Sequence, residues 1–402
     1  MTAKTYDIVI VGAGVIGSVL ALSLAKEGYT IALLDAQDPS LEPTNPERVI
    51  ALSEGSKRYL SSLGVWDDIA AGGAGLIQHI AVREPQNIGA VDMSHQELDS
   101  DALGYVLEIR HVLAPTQQAF TDHIKSMYGV QCLGFRQDEA GICLQVQDGG
   151  KQLEIQARLL IGADGTHSFI RSFAGIQTYG WDHNRLGIVA SIACEHGHNN
   201  TAYECFKEEG PLALLPLADD RFSLVWSVAP KTAVELLNLN DESFLHILHN
   251  EVGDEIMGKL GRFTSMGKRA SFPLELRVAK SFAQGRVLLA GNAAHTIHPI
   301  AGQGMNLGLR DVAVLADVLQ QTWAKEDLNK PLIGQTYAER RRLDTLAVAG
   351  FTEGVLETFA SSFLPKRWLR GRGLQMMQST PVLKQFLLKQ AAGIAQLEGL
   401  KS

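Results

Sequence analysis

"YDIVIVGAGVIGSVLALSLAKEGYTIALLDAQ", residues 6–37, decides the fold of this chain. It opens on the uninterrupted apolar run Ile8–Val11, the pattern of a strand buried on both faces. Gly12, Gly14 and Gly17 follow in G-x-G-x-x-G spacing, and Val19, Leu20, Leu22, Leu24 and Ala25 then mark a helix ending near Gly28. A second apolar strand, Ile31–Leu34, stops at Asp35. Each residue type has a physical task there. Gly12 permits a tight turn, Gly14 lets a pyrophosphate approach the backbone, and Gly17 lets helix and strand pack closely. The helix N-terminus offers unpaired N–H groups and the positive end of a dipole to the phosphates. Asp35, 18 residues after Gly17, sits where a carboxylate accepts ribose hydroxyls and repels a 2′-phosphate. Glycine spacing alone is a weak signal. The strand–turn–helix–strand–acid context makes it an adenine-dinucleotide site, with FAD and NAD both open.

Two further stretches choose between them. "LLIGADGTHSFIR", 159–171, is an apolar strand followed by Asp164-Gly165 and a helix-like segment carrying Arg171. "GRVLLAG", 285–291, is another buried strand and leads into "GNAAHTIHPIAGQGMNLGLRD", 291–311. After that comes a helix with Val312, Leu315 and Leu319 on one face. Three strands thus end at a glycine beside a polar residue or turn: 12–17, 164–165 and 291–292. An NAD domain needs the first only; three suit a longer ligand, FAD, lying across the carboxyl edge of a sheet.

On these motifs the chain resembles the group A flavoprotein aromatic hydroxylases, the fold family of para-hydroxybenzoate hydroxylase, in its ubiquinone-biosynthesis branch. The likeness covers nearly the whole chain, including "PERVIALSEGSKRYLSSLGVW" at 46–66, and departs at Asn292, where most of the family has Asp. The Asn variant and "GPLALLPLADDRFSLVW", 210–226, are most like the members that act on 2-polyprenyl-6-methoxyphenol.

The resemblance implies an FAD site built from Gly12, Gly14, Val15, Ile16, Gly17, Asp35, Arg48, Arg110, Asp164, Gly165, Gly291, Asn292, Pro299, Gly302, Gly304, Met305 and Asn306. Pro299 and Gly302 then form the surroundings of the reacting flavin edge, with no acid or base assigned. Gly302 and Gly304 keep the backbone bare toward the ring, and the following helix points its N-terminus at the charge that gathers there. Arg48 alternatively pairs with Glu47 or Glu54, and Arg110 with an acid at a helix N-terminus.

The implied activity is NAD(P)H- and O2-dependent hydroxylation, through a C4a-hydroperoxyflavin, of a hydrophobic prenylated phenol para to its hydroxyl. The cofactor carries the chemistry while the protein orients the ring and excludes water. That agrees with finding no Ser-His-Asp, paired-carboxylate or Cys nucleophile constellation. NADH versus NADPH is open, since there is no second G-x-G-x-x-G. Competing readings are hydroxylation at another ring position, a flavin dehydrogenase or oxidase, and a non-catalytic flavin scaffold.

The expected fold class is α/β: a Rossmann-like FAD-binding domain, an interleaved antiparallel-sheet substrate domain and a helical C-terminal tail. The expected division is 1–175 with an excursion near 76–100, 176–267 for the antiparallel sheet, 268–345 for the second part of the FAD domain, and 346–402 helical. Within the sheet, Leu212, Leu214 and Pro216 alternate, "ADDR" turns, and Phe222, Leu224, Trp226 and Val228 alternate back. That hairpin either walls an apolar substrate pocket or forms the core of its own sheet.

The bulk composition fits this reading. The 402 residues are 46% hydrophobic and 20% charged. The net charge of −8 argues against nucleic acid as a partner. "MTAKTY" runs straight into a strand without a signal-peptide pattern, and no apolar run reaches the ~20 residues of a spanning helix. Cys132, Cys143, Cys194 and Cys205 show no C-x-x-C pairing and read as reduced thiols of a cytoplasmic protein. No metal is expected: neither Cys194 with His196 and His198 nor His295 with His298 has a further ligand at metal-site spacing. Residues 360–402 carry +6, leaving −14 elsewhere, and place Leu383, Phe386, Leu387 and Ile394 at roughly helical spacing. Such a segment lies on an anionic inner-membrane surface or packs on its own domain; the resemblance separately implies other proteins of ubiquinone biosynthesis as partners.

Overall fold

The structure is a computed structural model and describes residues 5–37, 48–84, 90–98, 100–207, 209–321 and 331–360. Strand β1 (Thr5–Val11), helix α1 (Val15–Lys26) and strand β2 (Ile31–Asp35) form where the two apolar runs and the glycine turn predict them. β1 pairs in parallel with β2 on one side and with Lys151–Gly162 on the other, so Ile10 lies beside both Leu33 and Ile161. Val287–Leu289 and Ile124–Tyr128 extend this to five parallel strands. Ile8, Val9 and Ile10 are wholly buried, as a parallel sheet covered on both faces requires. The first half of Lys151–Gly162 pairs antiparallel with Ile142–Asp148, which continues to Val130–Gln137.

Register decides where the three expected strand ends lie. Val11 is beside Gly162, and Gly162 is beside Leu289. The glycine turn, Asp164-Gly165 and Gly291-Asn292 therefore leave one edge of one sheet side by side.

A second, nine-stranded sheet runs from His295–Thr296 through Ala270–Ala279, Thr178–Cys194, Phe222–Val228, Leu212–Pro216, Thr201–Cys205 and His79–Arg83 to Ala90–Ser94, with Phe263–Met266 also on Thr178–Cys194. Two of its strands come from the 76–100 region, and Ala270–Ala279 carries it past residue 267. Its pairs are antiparallel except Thr201–Cys205 with His79–Arg83, which is parallel. The expected hairpin is present, with Leu212 opposite Trp226 and Leu214 opposite Leu224.

The hairpin's large side chains face two helices. Leu212, Leu214, Phe222, Leu224 and Trp226 interleave with Ala233, Leu236, Phe244 and Leu248 from the helices Pro230–Asn238 and Asp241–Val252. They are the core of their own sheet, because the helices cover that face. The other face meets a three-stranded sheet made of β3 (Val49–Ser53), Gly104–Glu108 and Gly75–Ile77. Val49, Ile77 and Val106 pack there with Ala202, Leu215 and Leu217.

The helix Gln303–Gln321 packs on α1, and Pro331–Ala360 packs on Gln303–Gln321, running unbroken through residue 346. No helix among the described residues is long and apolar enough to cross a membrane. The basic stretch beyond residue 360 lies outside the described residues.

Candidate active site

The three glycines of the first turn do different things. Gly12 has φ +107°, and a Cβ there would lie 2.3 Å from the Ala163 carbonyl oxygen. On Gly17 a Cβ would lie 1.8 Å from the Gly12 oxygen. Both are glycine because the protein's own backbone fills the space. Gly14 is not. It caps α1 with φ −67° and ψ −175°, angles open to any residue, and a Cβ there meets nothing within 4 Å. No side chain caps α1, so its first N–H groups face that same opening. A glycine that the packing does not need, beside uncapped helix donors, leaves room for an anionic ligand. Asp35 closes the turn: Oδ2 accepts from Ala13 N at 2.6 Å and Oδ1 from Gln37 N at 2.8 Å. A carboxylate has about four acceptor sites, so lone pairs remain for a ribose.

The second and third stretches are tied to the first. Asp164 accepts from Ser168 Oγ at 2.5 Å and from Ile170 N at 3.1 Å, holding the start of the helix Phe169–Phe173. Gly165, at φ +83°, has open space where a side chain would project. Arg171 is buried and donates to the carbonyls of Ala293 at 2.9 Å and Thr166 at 2.8 Å, joining the 164–171 and 291–296 segments. Asn292 is exposed beside Thr166, with Nδ2 3.4 Å from its Oγ1. Val15 is buried, and Ile16 nests between Gly291 and Gly308, where a Cβ would come within 3.1 and 2.7 Å of its side chain.

Arg110 is exposed at the start of the helix Ile109–Gln118 and pairs with Glu108 at 2.6 Å, the helix-terminal ion pair of the alternative reading. Arg48 is exposed just before β3, where its carbonyl accepts from Ile109 N at 2.9 Å. It does not pair with Glu54, whose carboxylate is taken by Lys57, Arg58 and Tyr105. Glu47 lies outside the described residues.

Pro299 precedes the short turn Ile300–Gly302. Gly302, at φ +62°, is bare because β3 presses on it: a Cβ would lie 2.5 Å from Ala51 Cβ. Gly304 has only Ile297 nearby, at 3.9 Å, and Met305 is half-buried against the main core. Asn306 uses its whole amide internally. Oδ1 accepts from Ser53 N (2.8 Å) and Ser56 Oγ (2.7 Å), and Nδ2 donates to the carbonyls of Ala51 (3.0 Å) and Gly302 (2.9 Å). It therefore acts by fixing the 302–306 backbone against β3. Asn306→Asp keeps the shape but removes both donors, and should cost roughly 1–3 kcal/mol, read as a lowered melting temperature.

Beneath the site lies a buried charge network that sequence reasoning did not find. Asp311, on Gln303–Gln321, accepts from Gly291 N at 2.8 Å, His295 Nε2 at 2.6 Å and Arg341 Nε at 2.7 Å. Arg341 also pairs with Asp344, which in turn holds Arg310 at 2.7 Å. Burial pushes the Asp311 carboxyl up, but His295 and Arg341 outweigh it and hold it below the ordinary range. The signal was present: Asp311 lies four residues before Leu315, on the helix's apolar face. His298 is buried with neither ring nitrogen partnered, 5.5 Å ring to ring from His183. Burial, then the charges of His183 and Arg185, push it down to about 3, so it stays neutral at physiological pH. Cys194 ends its strand, and His198 Nε2 meets the Leu217 carbonyl at 2.7 Å. Among the described residues no group of three His, Cys, Asp or Glu is arranged for a metal.

Comparison with known proteins follows the same lines. Residues 5–349 match the FAD binding domain family. The chain is 32% identical to 3-demethoxyubiquinol 3-hydroxylase of Escherichia coli K12, across 98% of this chain and 100% of that one. It is 30% identical to the mitochondrial ubiquinone biosynthesis monooxygenase COQ6 of Xenopus tropicalis, across 95% and 92%. Its fold is shared with p-nitrophenol 4-monooxygenase PnpA of Pseudomonas putida DLL-E4, with a TM-score of 0.80 at 18% identity over 99% of this chain and 100% of that one.

Proposed function

The chain belongs to the FAD binding domain family, and on that premise we propose that it hydroxylates a prenylated phenol of ubiquinone biosynthesis. The substrate in this reading is 2-polyprenyl-6-methoxyphenol, hydroxylated para to its hydroxyl. The observation that carries it is the register of Val11, Gly162 and Leu289, which aligns three ligand-facing turns on one sheet edge. The open space at Gly14 fits a dinucleotide there. Its hydroxylase and monooxygenase relatives support the choice of reaction.

FAD, when bound, supplies the redox chemistry by which NAD(P)H and O2 deliver one oxygen atom to the ring. The chain's residues do the rest. Gly14 and the α1 N-terminus would hold the pyrophosphate, and Asp35 would take the ribose. Asp164-Gly165 and Gly291-Asn292, on the same sheet edge, would flank the part of the cofactor between phosphate and ring. The 302–306 backbone, fixed by Asn306, would meet the ring, and the N-terminus of Gln303–Gln321 would steady negative charge there. The second sheet would exclude water from the reacting ring. A prenylated phenol resides in the membrane, which suits a cytoplasmic enzyme with a basic tail at 360–402.

The test is mass spectrometry of quinone intermediates in cells lacking the protein. A build-up of 2-polyprenyl-6-methoxyphenol is expected. A different phenolic intermediate moves the ring position, and unchanged quinone pools overturn the reading. A dehydrogenase would reduce the flavin with substrate alone, so a nicotinamide requirement in vitro separates the two classes.

A further inference from the structure

Glu204 sits in Thr201–Cys205 between Tyr203 and Cys205, both of which enter the helix-covered core. Alternation turns Glu204 to the opposite face. Its neighbours across the strands are Val82 and Ala213, with Val225 beyond Ala213 and Val189 beyond Val225. Glu204 is 9% exposed, and its carboxyl makes no hydrogen bond or ion pair with a described residue. Nearby charges are engaged elsewhere: Arg83, on the core face, holds Asp92 and Glu255, Glu84 has a partner of its own, and Arg185 reaches the Glu209 carbonyl. An acid buried among apolar neighbours without a partner is costly, and nothing in the packing offsets it.

The second sheet is tied to the 298–302 turn at two ends. At one end His183 of Thr178–Cys194 meets His298, and at the other Gly302 abuts Ala51 while Val49 packs with Ala202 and Leu215. Residues 299–301 lie between those anchors. Ser227 Oγ, on the same face, is wholly buried without a partner. A mostly apolar surface with a few unpartnered polar groups is how small aromatic molecules are held and oriented.

We propose that Glu204 receives the hydroxyl of the aromatic substrate and takes its proton. The inference rests on the hydroxylase reading above. The phenol O–H bond breaks, its proton goes to a carboxylate oxygen of Glu204, and the electron pair stays on the phenolate, enriching the para carbon. That carbon gains one oxygen atom of O2 and loses its hydrogen as a proton. The second oxygen leaves as water with electrons from NAD(P)H, and Glu204 returns its proton to the phenolate oxygen. Burial pushes the Glu204 carboxyl up to about 7, where accepting and returning a proton are both accessible at neutral pH.

The test compares FAD-loaded wild type, Glu204→Gln and Glu204→Leu on a short-chain 2-prenyl-6-methoxyphenol. Product, hydrogen peroxide and NAD(P)H consumption are followed from pH 5.5 to 8.5. Wild-type hydroxylation should rise with pH to an inflection near 7. Glu204→Gln should keep its FAD and its substrate-stimulated NAD(P)H oxidation, yet form product at least about 100-fold more slowly, releasing peroxide and losing that inflection. Glu204→Leu removes a buried unpartnered acid, so it should melt higher than wild type, more so at pH 8 than at pH 5, with hydroxylation equally lost. Wild-type yield and pH profile in either variant would overturn the proposal. A wild type that hydroxylates no phenol would instead overturn the functional reading, and this inference with it.

Discussion

Gly14→Val should give a folded chain that does not hold FAD, whereas Gly17→Ala should give little folded chain at all. The contrast comes from what a Cβ would meet. At Gly14 there is nothing within 4 Å and the backbone angles suit valine, so the protein itself loses almost nothing. The added carbons occupy the space beside the α1 N-terminus, where a pyrophosphate must reach the backbone. At Gly17 the new atom would sit 1.8 Å from the Gly12 oxygen, a contact that moves either α1 or the turn. Such overpacking against backbone should cost upwards of about 4 kcal/mol, a large part of a typical domain's 5–15 kcal/mol. Melting curves with and without added FAD separate the two. Wild type should melt higher with FAD, as any ligand of the native state requires. Gly14→Val should melt where apo wild type does and ignore FAD. A Gly14→Val protein purified with stoichiometric flavin would sink the assignment of this turn.

Asp311→Asn should be the most damaging polar substitution beneath the site. The carboxylate faces three donors, from Gly291, His295 and Arg341, and an amide of the same shape turns an NH2 group toward one of them. It also leaves the buried Arg341 charge with Asp344 as its remaining acidic partner. Breaking a buried charge pair of this kind costs about 3–5 kcal/mol. The loss should carry a pH signature. The folded Asp311 carboxyl lies below its ordinary value, so its stabilisation is present above about pH 4 and is lost as pH falls further. The deficit of Asp311→Asn should therefore be full at pH 7 and shrink below pH 4. Because Asp311 also fixes Gly291 N, the variant's FAD affinity should fall together with its stability. Denaturation midpoints at pH 7 and 3.5 check the first claim, and FAD titration checks the second. A variant as stable as wild type at pH 7 would mean that the network carries no net stabilisation.

Much of the fold was legible in the sequence, because the decisive features are local. The strand–turn–helix–strand of residues 5–35 needs only an apolar run, three glycines and helical spacing, all within one stretch of chain. The hairpin at 212–228 follows equally from alternation and a polar turn. What alternation does not say is which face is covered. The large residues of that hairpin read equally as pocket walls or as the sheet's own core until the helices after residue 229 are seen to pack on them.

The candidate site divides the same way. Gly12, Gly14 and Gly17 share one motif, but their tasks separate only when Ala163, distant in the chain, is brought against Gly12. Asn306 reads as a ligand-facing residue of a motif, and only the return of β3 shows that its amide is spent within the protein. Asp311 and Arg341 sit 30 residues apart on two helices, and sequence reasoning singled out neither them nor Glu204. By itself the sequence determined the class of fold, the strand–turn–helix–strand at the glycines and the hairpin at 212–228, since each depends on the chemistry of neighbouring residues. Only the tertiary structure decided which polar groups are buried together and which are left without partners, because burial and pairing are set by the register of segments that the chain keeps far apart.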